Sequence, residues 1–228
     1  MRREELAEIV TSGLAGWLQL RDAEGVADLH GEEAARLALV QILRAQAMWR
    51  PKVPYQPDSW AGTGKRLDLA LLPWDEAAAS VYGLLELKWP GNVDVTKSRL
   101  DLVQDAVRVV SVTMVGDMRA AFVVLGCRGD LEVELFDTGH PRAAATEAAR
   151  VAFGDLFKRD LATPDGVMSR ADLDLHFPEF AARVPAGPVV NHELQAKLVA
   201  MQAATRGATT LGRVFVWHCS QRPGRPGA

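Results

Sequence analysis

The sequence predicts an α/β (α+β) protein in which a central mixed β-sheet is flanked by helices. Three observations predict it. Residues 2–20 and 32–48 place apolar side chains near every 3.6 positions, the helical period. The runs RLDLALLP (66–73) and VYGLLELKWP (81–90) are apolar, strand-length and bounded by turn-like residues. Beyond them, helix-like and strand-like stretches alternate to residue 219.

The first helix is marked by the stripe Leu6, Ile9, Val10, Leu14, Trp17 and Leu18, and RDAEGVADLHG breaks it. Gly31 introduces the second, EEAARLALVQILRAQAM. The Pro- and Gly-rich PKVPYQPDSWAGTGK predicts a short edge strand near 52–56 and then a loop. The two apolar runs follow as strands, joined by WDEAAAS. KSRLDLVQDAVRVVSVTMV predicts a helix over about 97–115, AAFVVLG a strand over 120–126, CRGD a turn and LEVELFD a strand over 131–137. Helices are predicted over 142–161 and 191–205, and RVFVWHC (213–219) as a last strand before a frayed tail. Residues 1–139 thus read as the core with its N-terminal helix. Residues 140–228 read as a helical extension ending in a strand and packed on the same domain.

Composition narrows the function. A hydrophobic share of 48% with 24% charged residues is that of a folded globular chain. A net charge of −3 means that any nucleic-acid contact must come from a local patch. Two distant cysteines, Cys127 and Cys219, without metal-type spacing, point to a reducing cytoplasm. The N-terminus sets Glu4 and Glu5 where a signal peptide needs an apolar run, and no membrane span is expected.

The chemistry concentrates in the two central strands. With side chains alternating faces, Tyr82, Leu84, Glu86 and Lys88 share one face of 81–89, and Asp68 lies opposite Leu67, Leu69 and Leu71 on its own strand. Asp68 and Glu86 stand near the ends of neighbouring strands. Two carboxylates in otherwise apolar runs are costly to bury unless a cation neutralises them. Two carboxylates with water are a typical Mg²⁺ ligand set, and Lys88 would hold or deprotonate the attacking water. The simpler alternative is an edge-strand ion pair of Glu86 with Lys88 on a solvated face.

An Asp on one strand followed by E-x-K on the next resembles the PD-(D/E)XK (restriction-endonuclease-like) nuclease superfamily, over about residues 31–126. That family's core is a helix, a three-stranded meander, a helix and a fourth strand, the order read above. The resemblance implies a metal-dependent nuclease with Asp68, Glu86 and the Leu87 carbonyl holding Mg²⁺ or Mn²⁺, and Lys88 at the attacking water. It implies a first-helix glutamate at Glu33 or Glu32. Glu33 is favoured because its i+4 neighbour Leu37 is apolar, whereas Glu32 can pair with Arg36 on the surface. It also implies either a glutamine after E-x-K, matched by Gln104, or an Asp with a basic residue, matched by Asp105 and Arg108. Leu67 stands where many members have proline. The substrate implied is nucleic acid, DNA ahead of RNA, in defence or repair, with a homodimer suited to cutting two strands.

Each residue also has a plainer reading. Glu33 suits the positive end of a helix dipole, Asp105 and Arg108 read first as a surface salt bridge, and Gln104 stays open between the two. Trp60, Trp74 and Trp89 would stack on bases or simply pack. Lys52, Lys65, Arg66, Lys97 and Arg99 would meet phosphates or solvent. A fold of this family that has lost cleavage and only binds is the rival function. Three further patterns carry no chemistry. GTGKR (62–66) lacks the P-loop's first glycine and its Ser/Thr, HELQA (192–196) lacks the second His of a zinc-protease helix, and His30, His140, His176 and His218 have no ligand spacing.

Overall fold

A computed structural model describes residues 2–25, 31–46, 49–57, 66–73, 81–90, 95–113, 120–136, 153–169, 171–172, 175 and 192–223. They form a mixed α/β structure with a seven-stranded sheet between helices. In chain order the elements are α1 (Arg3–Ala23), α2 (Glu32–Ala45), β1 (Trp49–Lys52), β2 (Leu69–Pro73), β3 (Gly83–Lys88), α3 (Val95–Thr113), β4 (Ala120–Arg128), α4 (Gly129–Phe136), β5 (Gly166–Met168), β6 (His192–Arg206) and β7 (Thr209–Pro223). The strand order is β1-β2-β3-β4-β7-β6-β5. Among the described strands only β3 and β4 pair in parallel, since α3 carries the chain back over the sheet between them.

Each face of the sheet buries one apolar layer. Leu6, Val10, Leu14 and Leu18 of α1 and Leu39 and Leu43 of α2 pack on Leu69, Leu71, Leu85, Leu87, Phe122, Val124, Val214 and Val216. On the other face Leu102, Val103, Ala106 and Val110 of α3 meet Ala70, Leu84, Val123, Leu125, Phe215 and Trp217. Burying one such Leu, Val or Phe side chain stabilises the fold by about 1.5–3 kcal/mol. The two layers alternate along β3 and β4 with the strand period, as the sequence pattern requires.

Five expectations change. The edge strand lies at 49–52 rather than 52–56, and Tyr55 keeps only an isolated bridge to Leu67. Pro51 is tolerated there because β1 is the sheet's edge, while Pro54 has no N–H with which to continue it. Tyr82 precedes the regular strand and stacks on Trp49 at 4.1 Å in the α1/α2 layer, away from Leu84. CRGD is no separate turn, because Cys127 and Arg128 end β4 and Gly129 and Asp130 begin α4.

The fourth change is that LEVELF forms helix α4 instead of a strand. Its alternation fits period 2, yet tertiary partners favour the helix. The buried Arg99 donates to the Leu135 and Glu134 carbonyls at 2.9 Å each, satisfying last-turn acceptors that a helix otherwise leaves open. The buried Glu132 pairs with Arg213 of β7. The fifth change is that 192–206 forms β6 rather than a helix, hairpinned to β7 through Gly207 at φ 58°. Its Leu, Ala, Gln, Lys and Met favour helices. A register shift between Leu198 and Ala200 also interrupts the strand period. Leu194, Ala196 and Leu198 face the α3 layer, whereas Ala200 and Ala204 face α1. Of the helix predicted over 142–161, a helical turn at 153–156 is described, and 142–152 lie outside the described residues.

Candidate active site

The site forms at the ends of β2 and β3, between the N-terminal turn of α2 and one face of α3. Ladder pairing of β2 with β3 begins at Leu69 and Leu85, so Asp68 lies just beyond it. Its side chain takes over the pairing. Asp68 Oδ2 accepts the Leu87 N–H at 2.8 Å, and the Asp68 N–H donates to Glu86 Oε2 at 3.2 Å. The two carboxyls are close enough for a hydrogen bond between them to help raise the Glu86 pKa. The convergence expected of Asp68 and Glu86 is present.

Glu86 is only 2% exposed. Burial, then the Asp105 and Asp68 carboxylates, push its pKa well above the ordinary carboxylate value, against the pull of Arg108. Asp105 is also buried, so its expected surface salt bridge is corrected. It faces the sheet, and its pKa is pushed up to about 7 by burial, against Lys88 and Arg108. Arg108 reaches Glu86 Oε1 at 3.1 Å and Asp105 Oδ1 at 3.2 Å, and donates to the Arg66 carbonyl. Helical spacing explains the grouping, because Asp101, Asp105 and Arg108 at i, i+4 and i+7 share one face of α3.

Lys88 lies between layers, its Nζ 3.5 Å from Glu32 Oε2 and 3.5 Å from Asp101 Oδ2. Burial lowers its pKa, but Asp105, Glu32 and Asp101 together outweigh that and raise it. Lys88 is therefore an ammonium at neutral pH, suited to holding a water or an oxyanion rather than to removing a proton.

The α2 glutamate at the site is Glu32, not Glu33. Glu32 Oε2 accepts the Trp89 N–H at 3.4 Å and faces Lys88, while Glu33 is 68% exposed and pairs with Arg36 at 2.9 Å. The apolar i+4 neighbour was a misleading signal, since Leu37 is itself exposed. Arg36 instead turns inward, its Nε 3.4 Å from Asp68 Oδ1. Gln104 is half-buried on α3, and among the described residues the contacts from α3 to Glu86 and Lys88 run through Asp101, Asp105 and Arg108 instead. Sequence reasoning missed Arg36 and Asp101; their i, i+4 spacings to Glu32 and Asp105 were the available signal.

The peripheral candidates separate as well. Trp89 is buried edge-on against Trp17 at 5.5 Å, so it is a packing residue. Arg99 is buried against α4, where it donates to main-chain carbonyls. Lys52, Arg66 and Lys97 are exposed, and Lys52 lies 5.6 Å from the Tyr55 ring centroid. His218 is half-buried, edge-on to Phe122, and burial lowers its pKa to about 4. Trp60, Trp74, Lys65, His30, His140 and His176 lie outside the described residues.

The inner cluster contains five carboxyls (Glu32, Asp68, Glu86, Asp101, Asp105) and three cations (Arg36, Lys88, Arg108). Glu86 Oε1, which is buried, accepts no hydrogen bond of normal geometry. An excess of carboxyl groups, all hard oxygen donors, over cationic side chains fits a divalent cation such as Mg²⁺ or Mn²⁺. Among the described residues no group of three or more His, Cys, Asp or Glu side chains is arranged to hold an ion. An ion would therefore rest on Asp68, Glu86 and a main-chain carbonyl. The Leu87 carbonyl shares with the Leu87 N–H the strand edge that faces Asp68. No helix among the described residues is long and apolar enough to cross a membrane. Comparison with protein-family models, with curated proteins and with solved structures found no match.

Proposed function

We propose that the protein is a metal-dependent nuclease with a restriction-endonuclease-like core, hydrolysing phosphodiester bonds of nucleic acid, DNA ahead of RNA. The observation that carries this reading is the reciprocal bonding of Asp68 with the Glu86–Leu87 segment, which gathers two carboxyls at one point, two residues before a lysine held by Glu32 and Asp101. The element order α2, β1–β2–β3, α3 and β4 supports it, being the order of the family core.

In this reading Asp68, Glu86 and the Leu87 carbonyl hold Mg²⁺ or Mn²⁺. The ion supplies charge neutralisation and an acidified water for attack on phosphorus. Lys88, kept charged by Glu32 and Asp101, holds the attacking oxygen and offsets negative charge as it develops. Arg36 orients Asp68. The work would be done in the cytoplasm, in defence or repair, and a homodimer would cut two strands. The test is cleavage of DNA and RNA in Mg²⁺ and Mn²⁺ by the wild-type and Lys88→Ala chains. Loss of roughly 100-fold or more in the folded variant supports the reading, and unchanged cleavage removes it.

One observation favours a second reading, a binding or regulatory protein without cleavage. Arg108 and Arg36 already stand against the Glu86 and Asp68 carboxylates. Calorimetry separates the two, since no uptake of Mg²⁺ or Mn²⁺ at millimolar concentration supports the second.

A further inference from the structure

Arg108 does what a metal ion would do at this place. Its guanidinium meets three oxygens from three separate parts of the chain: Glu86 Oε1 on β3, Asp105 Oδ1 on α3 and the Arg66 carbonyl ahead of β2. Two carboxylates with a main-chain carbonyl form a donor set for a hard cation as much as for an arginine. The partners differ in freedom. The Glu86 and Asp105 side chains are 3% and 8% exposed, whereas that of Arg108 is 34% exposed and hangs on a flexible stem. The acids cannot retreat to solvent, but the arginine can.

We infer that Arg108 is a resident counter-ion that holds the carboxylates together and swings away from Glu86 when a divalent cation enters. The inference rests on the metal-dependent reading above. Arg108 is then a positioning residue: it keeps Glu86 and Asp105 gathered without metal and sets the threshold at which metal binds. Ion and guanidinium compete for Glu86 Oε1, an oxygen that Arg108 pairs at 3.1 Å without a hydrogen bond of normal geometry. A purely structural arginine makes the opposite prediction, because its loss would loosen the carboxylates and weaken metal binding.

Calorimetric titration with MnCl₂ of the wild-type, Arg108→Gln and Arg108→Lys chains tests this. Removing the competitor should tighten Mn²⁺ binding about tenfold or more in the glutamine variant. Lysine keeps the charge but loses the fork, so its affinity should fall between the other two. In the wild-type chain, the arginine side-chain ¹⁵N signal that disappears in Arg108→Lys should move on saturation with Mg²⁺. Equal or weaker binding by Arg108→Gln, or an Arg108 signal indifferent to saturating Mg²⁺, overturns the inference while leaving the nuclease reading in place. Failure of every chain to take up Mn²⁺ removes both. If Arg108→Gln does not fold, the lysine variant and the wild-type spectrum decide on the same terms.

Discussion

The main-chain N–H of Asp68 donates to Glu86 Oε2 at 3.2 Å, although 18 residues separate the two in the chain. Strand pairing has stopped at Leu69 and Leu85, so a carboxylate completes the ladder in place of a backbone carbonyl. The bond serves structure and site together: it closes the end of β2 on β3 and aims the Glu86 carboxyl into the cluster.

Glu32 and Glu33 separate experimentally. Glu32→Gln takes a carboxylate from Lys88 and should lower metal-dependent cleavage about tenfold, the usual effect of losing a partner that orients a site residue. Glu33→Gln changes an exposed pair with Arg36 and should leave the rate within about twofold. Initial rates on one oligonucleotide substrate check both, and the reverse order would restore Glu33 to the site.

Stability of the metal-free protein should fall as pH rises. Asp105 titrates at about 7 in the fold against 3.8 in an unconstrained chain, and Glu86 is raised in the same direction. Between those two values the folded state holds more protons than the unfolded one. Stability is therefore full below the lower value and is lost as pH climbs through the upper one, by up to about 1.4 kcal/mol per pH unit for each proton. Lys88, raised from 10.5, acts only at higher pH. Urea midpoints at acid, neutral and intermediate pH measure the slope, and Asp105→Asn should flatten it.

Arg99→Met should destabilise the fold by about 2–4 kcal/mol, since the apolar replacement strands the Glu134 and Leu135 carbonyls at the end of α4. Arg99→Lys should recover only part, as a single ammonium cannot reproduce the planar fork. Denaturant titration of both variants measures it, and a neutral Arg99→Met would show that α4 needs no such support.

Gly126→Ala tests the packing behind the site. A Cβ there would come within 1.9 Å of the Trp89 ring, which Trp17 backs. Overpacking of this kind costs about 1–3 kcal/mol, occasionally more. Thermal melting checks it, and because Trp89 follows Lys88 the same variant should also slow cleavage.

Much of this arrangement was legible in advance where periodicity is clean. The two first helices, β2, β3, α3 and β4 follow from apolar spacing, because each buries one continuous face. Asp68, Glu86 and Lys88 stood out because charges in such strands must have partners. Local pattern failed at α4 and β6. LEVELF alternates as a strand would, and HELQAKLVAMQAATR is built of helix formers. Arg99 and Arg213 decided the first, while pairing with β7 across a register shift decided the second. Glu32 over Glu33, the burial of Asp105 and the reach of Arg108 likewise depend on how α2 and α3 are turned against the sheet. Spacing along a chain reports which side chains share a face, for that is a property of one element. Which face meets another element, and so which charges end up buried together, depends on contacts between residues far apart in the chain, and those exist only once the layers have closed.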